Sequence, residues 1–150
     1  MNASSNSCEN ITVVKENIFL TCEKFFNNHP HHIQKMVNIV EAKSNISLRI
    51  IDWFIEYYLE DNNLSYINTA YKSTLSLYGK QYFDPFKRAH RIDYKYMEND
   101  SDKVLETSIG QLNFFKWAFE NNVIDLIEKN LLKIRNHMNQ LATARFQDPA

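Results

Sequence analysis

Residues 46–60 read ISLRIIDWFIEYYLE, the densest apolar segment of the chain. Its apolar residues recur at steps of three and four and form two adjacent stripes, which charged residues interrupt only along one narrow strip. An apolar surface this wide is typical of a central helix that other elements contact from more than one side. The segment therefore predicts a helix at the centre of the fold, exposed along Arg49, Asp52, Glu56 and Glu60.

The same helical spacing of apolar residues continues on both sides of this segment. Pro30 and Gly79 are placed to end helices, and Thr107 or Ser108 to begin one. Asp84 followed by Pro85 is typical of a helix start and predicts a further short helix there. The other predicted helices run from about Asn10 to Phe25, His31 to Lys43, Asn68 to Tyr78 and Ile109 to Asn121, and a single final helix runs to about Leu141.

One stretch has the alternation of a strand instead. Arg91–Met97 alternates polar and apolar residues, and Lys103–Thr107 can return beside it after a turn at residues 98–102. The chain has only two Gly and three Pro, too few for the many turns of a sandwich or barrel. We therefore predict a mainly α fold: one compact domain at residues 10–141, with six or seven helices and a small antiparallel β-hairpin. Residues 1–9 are expected to be a disordered tail and residues 142–150 a loose one.

Composition limits the classes of function. The formal charge of the 150 residues is −1, which gives no overall attraction to nucleic acid or membranes. Residues 1–10 are polar, unlike a signal peptide, and no apolar run approaches the ~20 residues that span a bilayer. Cys8 and Cys22 are too few for a secreted disulfide framework. We therefore expect an intracellular protein with no membrane contact.

Positive charge is concentrated in residues 72–95. This segment holds six Lys or Arg against two Asp, a balance of +4, and many aromatic residues. Cations among aromatic rings suit phosphate neutralisation and base stacking in DNA or RNA. The segment also fits a solvated basic face whose aromatic residues belong to the core, or a surface for an acidic protein. The candidate nucleic-acid-binding residues are Lys80, Tyr82, Lys87, Arg88, Arg91, Tyr94 and Lys95.

The order helix, short helix, hairpin around this segment resembles a winged helix in topology, with the helix at Asp84-Pro85 as the recognition helix and the hairpin as the wing. If the basic segment contacts nucleic acid, we expect Tyr82 or Tyr94 to stack on bases.

Other polar clusters give weaker indications. His29, His31 and His32 lack the second ligand pair of a structural metal site, so we interpret them as surface loop histidines and expect no metal or cofactor. Asp52 and Glu56 lie one helical turn apart and are interpreted as helical surface acids. An enzyme would require a cleft that joins Asp52, Glu56 or His90 to other polar groups, so we expect a protein without catalytic activity.

Three blocks together resemble a family of short uncharacterised proteins of giant nucleocytoplasmic large DNA viruses of mimivirus and phycodnavirus type. They occur in order at residues 46–54, 82–88 and 107–117, and the resemblance covers about residues 31–138. The second block of the family has a more basic arginine pair, where this chain has Lys87 and Arg88. The resemblance implies a viral accessory protein, located in the host cytoplasm (virus factory) or in the virion, but no catalytic residue. A structural or assembly protein that acts through contacts with another viral protein is the alternative.

Overall fold

A computed structural model describes residues 3–88 and 90–147, with side chains from 13 to 88 and from 90 to 142. Since α3, the π-helical turn and α4 below are continuous, these residues form seven helical rods and two strands. This confirms the predicted mainly α fold with an antiparallel hairpin. The elements are α1 (Ala3–Asn27), α2 (Pro30–Val40), α3 (Leu48–Trp53), a π-helical turn (Phe54–Tyr58), α4 (Leu59–Asp61), α5 (Ser65–Tyr78), β1 (Arg91–Glu98), β2 (Ser101–Ser108), α6 (Ile109–Glu120), α7 (Val123–Lys129) and α8 (Leu131–Gln147).

Two helical rods supply much of the core. Ten of the twelve residues of α6 are buried, because this helix is apolar on nearly every side and packs against α1, α7 and β2. Residues 48–61 bury Ile51, Phe54, Ile55 and Leu59 in the same hydrophobic core, as the wide apolar surface of that segment predicts. None of the helices in the described residues is long and apolar enough to cross a membrane.

The central rod departs from a regular α-helix at Phe54–Tyr58. There the Leu59 N–H donates to the carbonyl of Phe54, five residues back instead of four, which defines a π-helical turn. The rings of Phe54 and Tyr58 are both buried and stack with centroids 5.6 Å apart. Short π-helical insertions of this kind are frequent at functional sites.

The hairpin forms as the alternation predicts. Strands β1 and β2 pair antiparallel, with Tyr94 opposite Leu105, and Asn99 and Asp100 connect them. Both turn residues have positive φ, 49° and 62°, which is the geometry of the two-residue turn that matches strand twist. The Tyr94 ring packs edge-on against Phe26 of α1, so the inner face of the hairpin belongs to the core.

The first and the final helix differ from the prediction in where they begin, break or end. The first helix begins at Ala3 instead of near Asn10, so residues 3–9, predicted as a disordered tail, belong to α1, and residues 1–2 lie outside the described residues. The final helix is two helices, because the Asn130 side chain donates to the carbonyl of Leu126 at 2.8 Å and ends α7. The loose tail predicted from residue 142 lies in α8 as far as Gln147, and residues 148–150 lie outside the described residues.

The short helix predicted at Asp84-Pro85 is absent, since residues 79–88 have no helical hydrogen-bond pattern. Asp84 Oδ1 instead accepts the N–H of Phe86 at 3.2 Å, so the side chain stabilises a turn without starting a helix. The predicted winged-helix likeness therefore loses its recognition helix.

Candidate functional site

A cleft of about 270 Å³ opens between the central rod, α5 and the segment after α5. The side chains that line it carry equal numbers of acids and bases, so we call it the mixed-charge cleft. We call residues 80–88 the cleft loop. The charged residues of the cleft are Asp52 and Glu56 from the central rod, Lys72 from α5, and Lys80, Asp84 and Arg88 from the cleft loop.

The cleft loop is held by α6 through backbone contacts. Gln111 Nε2 donates to the carbonyl of Pro85 and Asn113 Nδ2 to the carbonyl of Tyr82, both at 2.8 Å. The Asp84 N–H donates to the carbonyl of Gly110 at 3.2 Å. The third sequence block therefore positions the second block beside the first, where the cleft lies. The signal in the sequence was two amide side chains inside an otherwise apolar helix.

Phe83 anchors the cleft loop to the core. Its side chain is fully buried, and its ring centroid lies 5.6 Å from those of Tyr71 and Trp117 and 5.5 Å from that of Phe114. Aromatic pairs at these distances stabilise the packing beyond the area that they bury. The walls of the cleft are thus connected to the core.

Asp84 is the least exposed acid of the cleft, at 6% relative exposure. One carboxylate oxygen accepts the Phe86 N–H, whereas Oδ2 is buried without a hydrogen-bond partner and lies 3.7 Å from Arg88 Nε. Burial raises the pKa of Asp84, against the opposing effects of the Phe86 N–H, Arg88 and Lys80. The floor of the cleft therefore holds an acceptor that the protein itself does not satisfy.

Tyr71 is a second residue of the cleft whose pKa is shifted. Burial, with added repulsion from Glu56, Asp52 and Asp84, raises the pKa of Tyr71 to about 12. Its hydroxyl therefore stays protonated at neutral pH, and it can donate a hydrogen bond in the cleft.

The predicted nucleic-acid-binding residues divide into separate groups. Lys80 and Arg88 line the mixed-charge cleft, and Lys87 and Tyr82 are half-buried parts of the cleft loop that do not. Tyr94 is 1% exposed, so the prediction that it stacks on bases is wrong: the alternation of β1 directs it into the core. Tyr82 is held by the bond between its carbonyl and Asn113.

Arg91 and Lys95 lie on the solvent-facing side of the hairpin, which we call the hairpin outer face. Arg91 forms an ion pair with Glu106 at 3.0 Å. Asp93 lies between Arg91 and Lys95 on the same exposed side of β1. Because acids neutralise this face, its cations do not continue those of the cleft as one strip. The sequence could not show this, since Glu106 lies on the other strand.

Asp52 and Glu56, interpreted from the sequence as surface acids, share the cleft with Asp84. The cleft that an enzyme would require therefore joins both acids to other polar groups, and its described lining does not include His90. The spacing of Asp52 and Glu56 correctly places them on one face, but it could not show what lies opposite. The described lining of the cleft contains no Ser, Thr, Cys or His, and no three His, Cys, Asp or Glu among the described residues are grouped to hold a metal ion.

Two of the three histidines, His29 and His32, belong to an aromatic stack. His31 and His32 lie in α2, so the prediction of surface loop histidines is wrong for these two. His29 and His31 are exposed, but the half-buried His32 stacks on Phe119 with centroids 4.4 Å apart and lies 5.1 Å from His29. His32 Nδ1 is buried without a hydrogen-bond partner. Burial, followed by the charges of His29, Lys35 and His31, lowers the pKa of His32 below its usual 6.5.

The change His32→Phe tests this stack. We expect it to raise the free energy of unfolding by about 1 kcal/mol at pH 7.5, because the ring contact stays and the unpaired nitrogen is removed. In the wild type the unfolded chain takes up the proton first, so stability is present above pH 6.5 and falls as the pH drops through the lower folded pKa. Urea unfolding between pH 7.5 and pH 5 should show a smaller loss in His32→Phe.

The exposed His31 gives a control, since His31→Phe makes the same replacement without removing a buried polar atom and removes only the weakest of the charges that act on His32. Equal pH dependence in wild type and His32→Phe would contradict the role assigned to His32.

Comparison with known proteins identifies viral relatives. The profile of a family described as "Family of unknown function (DUF7197)" matches residues 1–147. Uncharacterized protein L507 of Acanthamoeba polyphaga mimivirus is similar to the chain, with 37% identity over 153 aligned positions. The match covers 93% of this chain and 59% of L507, so the chain spans about three-fifths of the length of that relative. No solved structure matches the chain.

Proposed function

The chain belongs to the family of unknown function DUF7197, and we propose that it is a viral accessory protein that binds single-stranded nucleic acid at the mixed-charge cleft without catalysing a reaction. The membership and the mimivirus relative confirm the resemblance that the three sequence blocks indicate. The observation that carries the proposal is the position of Lys72, Lys80 and Arg88, which line one concave site beside aromatic rings.

The cations of the cleft are available to a ligand. Lys72 and Lys80 are exposed and form no ion pair within the described part of the chain. Arg88 pairs with Asp84 at 3.7 Å through Nε, but its side chain is 62% exposed. The Arg88 guanidinium lies 4.9 Å from the centroid of the half-buried Phe86 ring, so a cation and an aromatic surface stand side by side. Single-stranded nucleic acid is bound by this combination: cations contact phosphates, and rings stack on bases.

The shape of the site favours a single strand over a duplex. Readout of a duplex needs a helix or a β-ribbon that enters a groove, whereas the cleft is concave and the recognition helix predicted from the sequence does not form. A binding role is also favoured over catalysis, because the lining described above lacks a Ser, Thr or Cys nucleophile beside a His base.

The test is binding of a fluorescent single-stranded oligonucleotide at several salt concentrations. We expect log K to fall linearly with log salt, with a slope of about −0.7 for each phosphate neutralised. The double change Lys72→Gln with Lys80→Gln should weaken binding about tenfold or more and reduce the slope by about 1.4, since each lost contact is a charge-assisted hydrogen bond.

The hairpin outer face offers a control of equal charge change. Arg91→Gln with Lys95→Gln also removes two positive charges but leaves the cleft intact, so its affinity should stay within about twofold of the wild type. Absence of binding at low salt, or an equal loss in the two double variants, would refute the proposal.

A second candidate function, docking of another viral protein, has its own support. The described part of α1 exposes Val13, Val14 and Leu20, and a shallow apolar depression lies beside Phe19 and Ile109. Exposed apolar patches of this kind mark contact surfaces. Co-purification of a viral partner that survives nuclease treatment and is lost in Leu20→Glu would favour this function.

A further inference from the structure

The three carboxyl groups of the mixed-charge cleft, which we call its acidic side, have a feature that phosphate binding does not use. Asp52 and Glu56 lie one turn apart on the central rod, and Asp84 lies at the floor of the cleft. Asp84 is 94% buried, yet its Oδ2 has no hydrogen-bond partner, because the 3.7 Å to Arg88 Nε is too long for a hydrogen bond. Buried polar atoms are nearly always satisfied, so this oxygen indicates a donor that a ligand supplies.

The charged residues of the cleft indicate the chemistry of that ligand. Lys72, Lys80 and Arg88 attract an anionic group, and the three carboxyl groups accept hydrogen bonds from N–H donors. A ligand that satisfies both sets of groups carries a phosphate and an amino-bearing ring. A nucleotide of guanine, adenine or cytosine has this chemistry.

Thymine and uracil fit the acidic side less well. They present two carbonyl oxygens around a single N–H, and those oxygens would face the carboxyl groups of Asp52, Glu56 and Asp84. Cytosine instead presents an exocyclic amino group, which is the group that Asp and Glu side chains accept from in base recognition. Carboxyl groups at this position therefore discriminate between the two kinds of pyrimidine.

The size of the cleft agrees with one base. Its 270 Å³ lies just below the ~300–1,000 Å³ of most small-molecule sites, so it admits a single nucleotide and not a longer segment of a strand. The cations from α5 and the cleft loop can then hold the phosphates of that nucleotide and its neighbours.

We propose that the carboxyl groups of Asp52, Glu56 and Asp84 select an amino-bearing base, so that the cleft prefers cytosine, adenine or guanine to thymine or uracil. This inference rests on the proposed binding of single-stranded nucleic acid. It adds base selectivity, which the cations alone do not supply.

Oligo-dC and oligo-dT of equal length test the inference, because both are pyrimidine strands and their phosphates are identical. Fluorescence anisotropy at one salt concentration and pH 7.5 should show dC binding about fivefold or more tightly than dT. The double change Asp52→Asn with Glu56→Gln should bring the ratio of the two affinities to about one to two, because an amide can also donate to thymine carbonyls.

A purely electrostatic role of the acids has a different signature. Removing two negative charges would then strengthen binding of dC and dT equally, and the ratio would not change. Asp93→Asn with Asp102→Asn on the hairpin outer face makes the same change of charge away from the cleft and should leave the ratio at its wild-type value.

Asp84→Asn provides a second variant that keeps the local turn. Its amide oxygen must remain toward the Phe86 N–H, since an amide nitrogen cannot accept, so its NH₂ group replaces Oδ2. We expect the dC-to-dT ratio to fall at least threefold. Thermal unfolding of each variant confirms that it folds.

The outcomes of these experiments distinguish base selectivity from the proposed binding of single-stranded nucleic acid on which it rests. Equal, salt-dependent binding of dC and dT by the wild type would overturn the base selectivity and leave nucleic-acid binding standing. A ratio that the Asp52, Glu56 and Asp84 variants leave unchanged would also overturn it. Absence of binding to either strand would overturn both.

Discussion

Gln111→Leu is expected to lower the free energy of unfolding by about 2 to 4 kcal/mol, although it replaces a polar side chain with an apolar one in the core. Gln111 is fully buried at the start of α6. Its Nε2 donates to the carbonyl of Pro85 at 2.8 Å, and its Oε1 accepts from Thr107 Oγ1 at 2.6 Å. Leucine leaves that carbonyl and that hydroxyl buried without this partner, and each such loss costs about 1 to 3 kcal/mol.

The loss of these hydrogen bonds should also affect the mixed-charge cleft. The bond to Pro85 is one of the ties between α6 and the cleft loop, so we expect weaker oligonucleotide binding even where Gln111→Leu remains folded. Urea unfolding followed by circular dichroism gives the stability, and fluorescence anisotropy at a temperature well below unfolding gives the affinity.

Two further variants isolate the cause of the Gln111→Leu effect. Adding Thr107→Val removes the stranded hydroxyl and should recover about 1 kcal/mol, because the buried donor no longer exists. Gln140→Leu makes the same replacement at an exposed position of α8 and should change stability by less than about 0.5 kcal/mol. A full-size loss at Gln140, or no recovery in the double variant, would show that the hydrogen bonds of Gln111 are not the cause.

The sequence predicts the elements of this fold well because their signals are local. The alternation at Arg91–Met97 predicts β1, the spacing within residues 46–60 predicts the central rod, and Gly79, with φ of 74°, lies directly after α5 as its position predicts. Ser108 caps α6 by accepting the N–H of Gln111, one of the two caps that the sequence offers. Each of these signals depends on residues within a few positions of one another.

The cleft could not be predicted because it depends on contacts between distant segments. The period of two correctly places Ile92, Tyr94 and Tyr96 on one side of β1, but only the packing of that side on α1 buries Tyr94. Similarly, Asp84 before Pro85 is as typical of a helix start as of a turn. Its contact with α6 decides between the two, since the Asp84 N–H is bonded to the carbonyl of Gly110.

Gly110→Ala tests whether the contact between α6 and the cleft loop outweighs local helix preference. The two effects change the free energy of unfolding in opposite directions. Gly110 is the second residue of α6, where alanine is intrinsically preferred by at most about 1 kcal/mol. An added Cβ, however, would lie 2.9 Å from the carbonyl oxygen of Gln81 and 3.2 Å from the nitrogen of Phe83. Both atoms belong to the backbone of the cleft loop, so no side chain can rotate away.

We expect Gly110→Ala to lower the free energy of unfolding by about 2 kcal/mol, because overpacking of this size exceeds the gain in helix preference. For a chain of this length that corresponds to a fall of about 4 to 8 °C in Tm. Ser73→Ala, at an exposed position of α5, is the control for helix preference and should raise stability slightly. Calorimetry that finds Gly110→Ala as stable as the wild type, or more so, would show that the cleft loop does not press against α6, and the positioning of Lys80, Asp84 and Arg88 by α6 would fail with it.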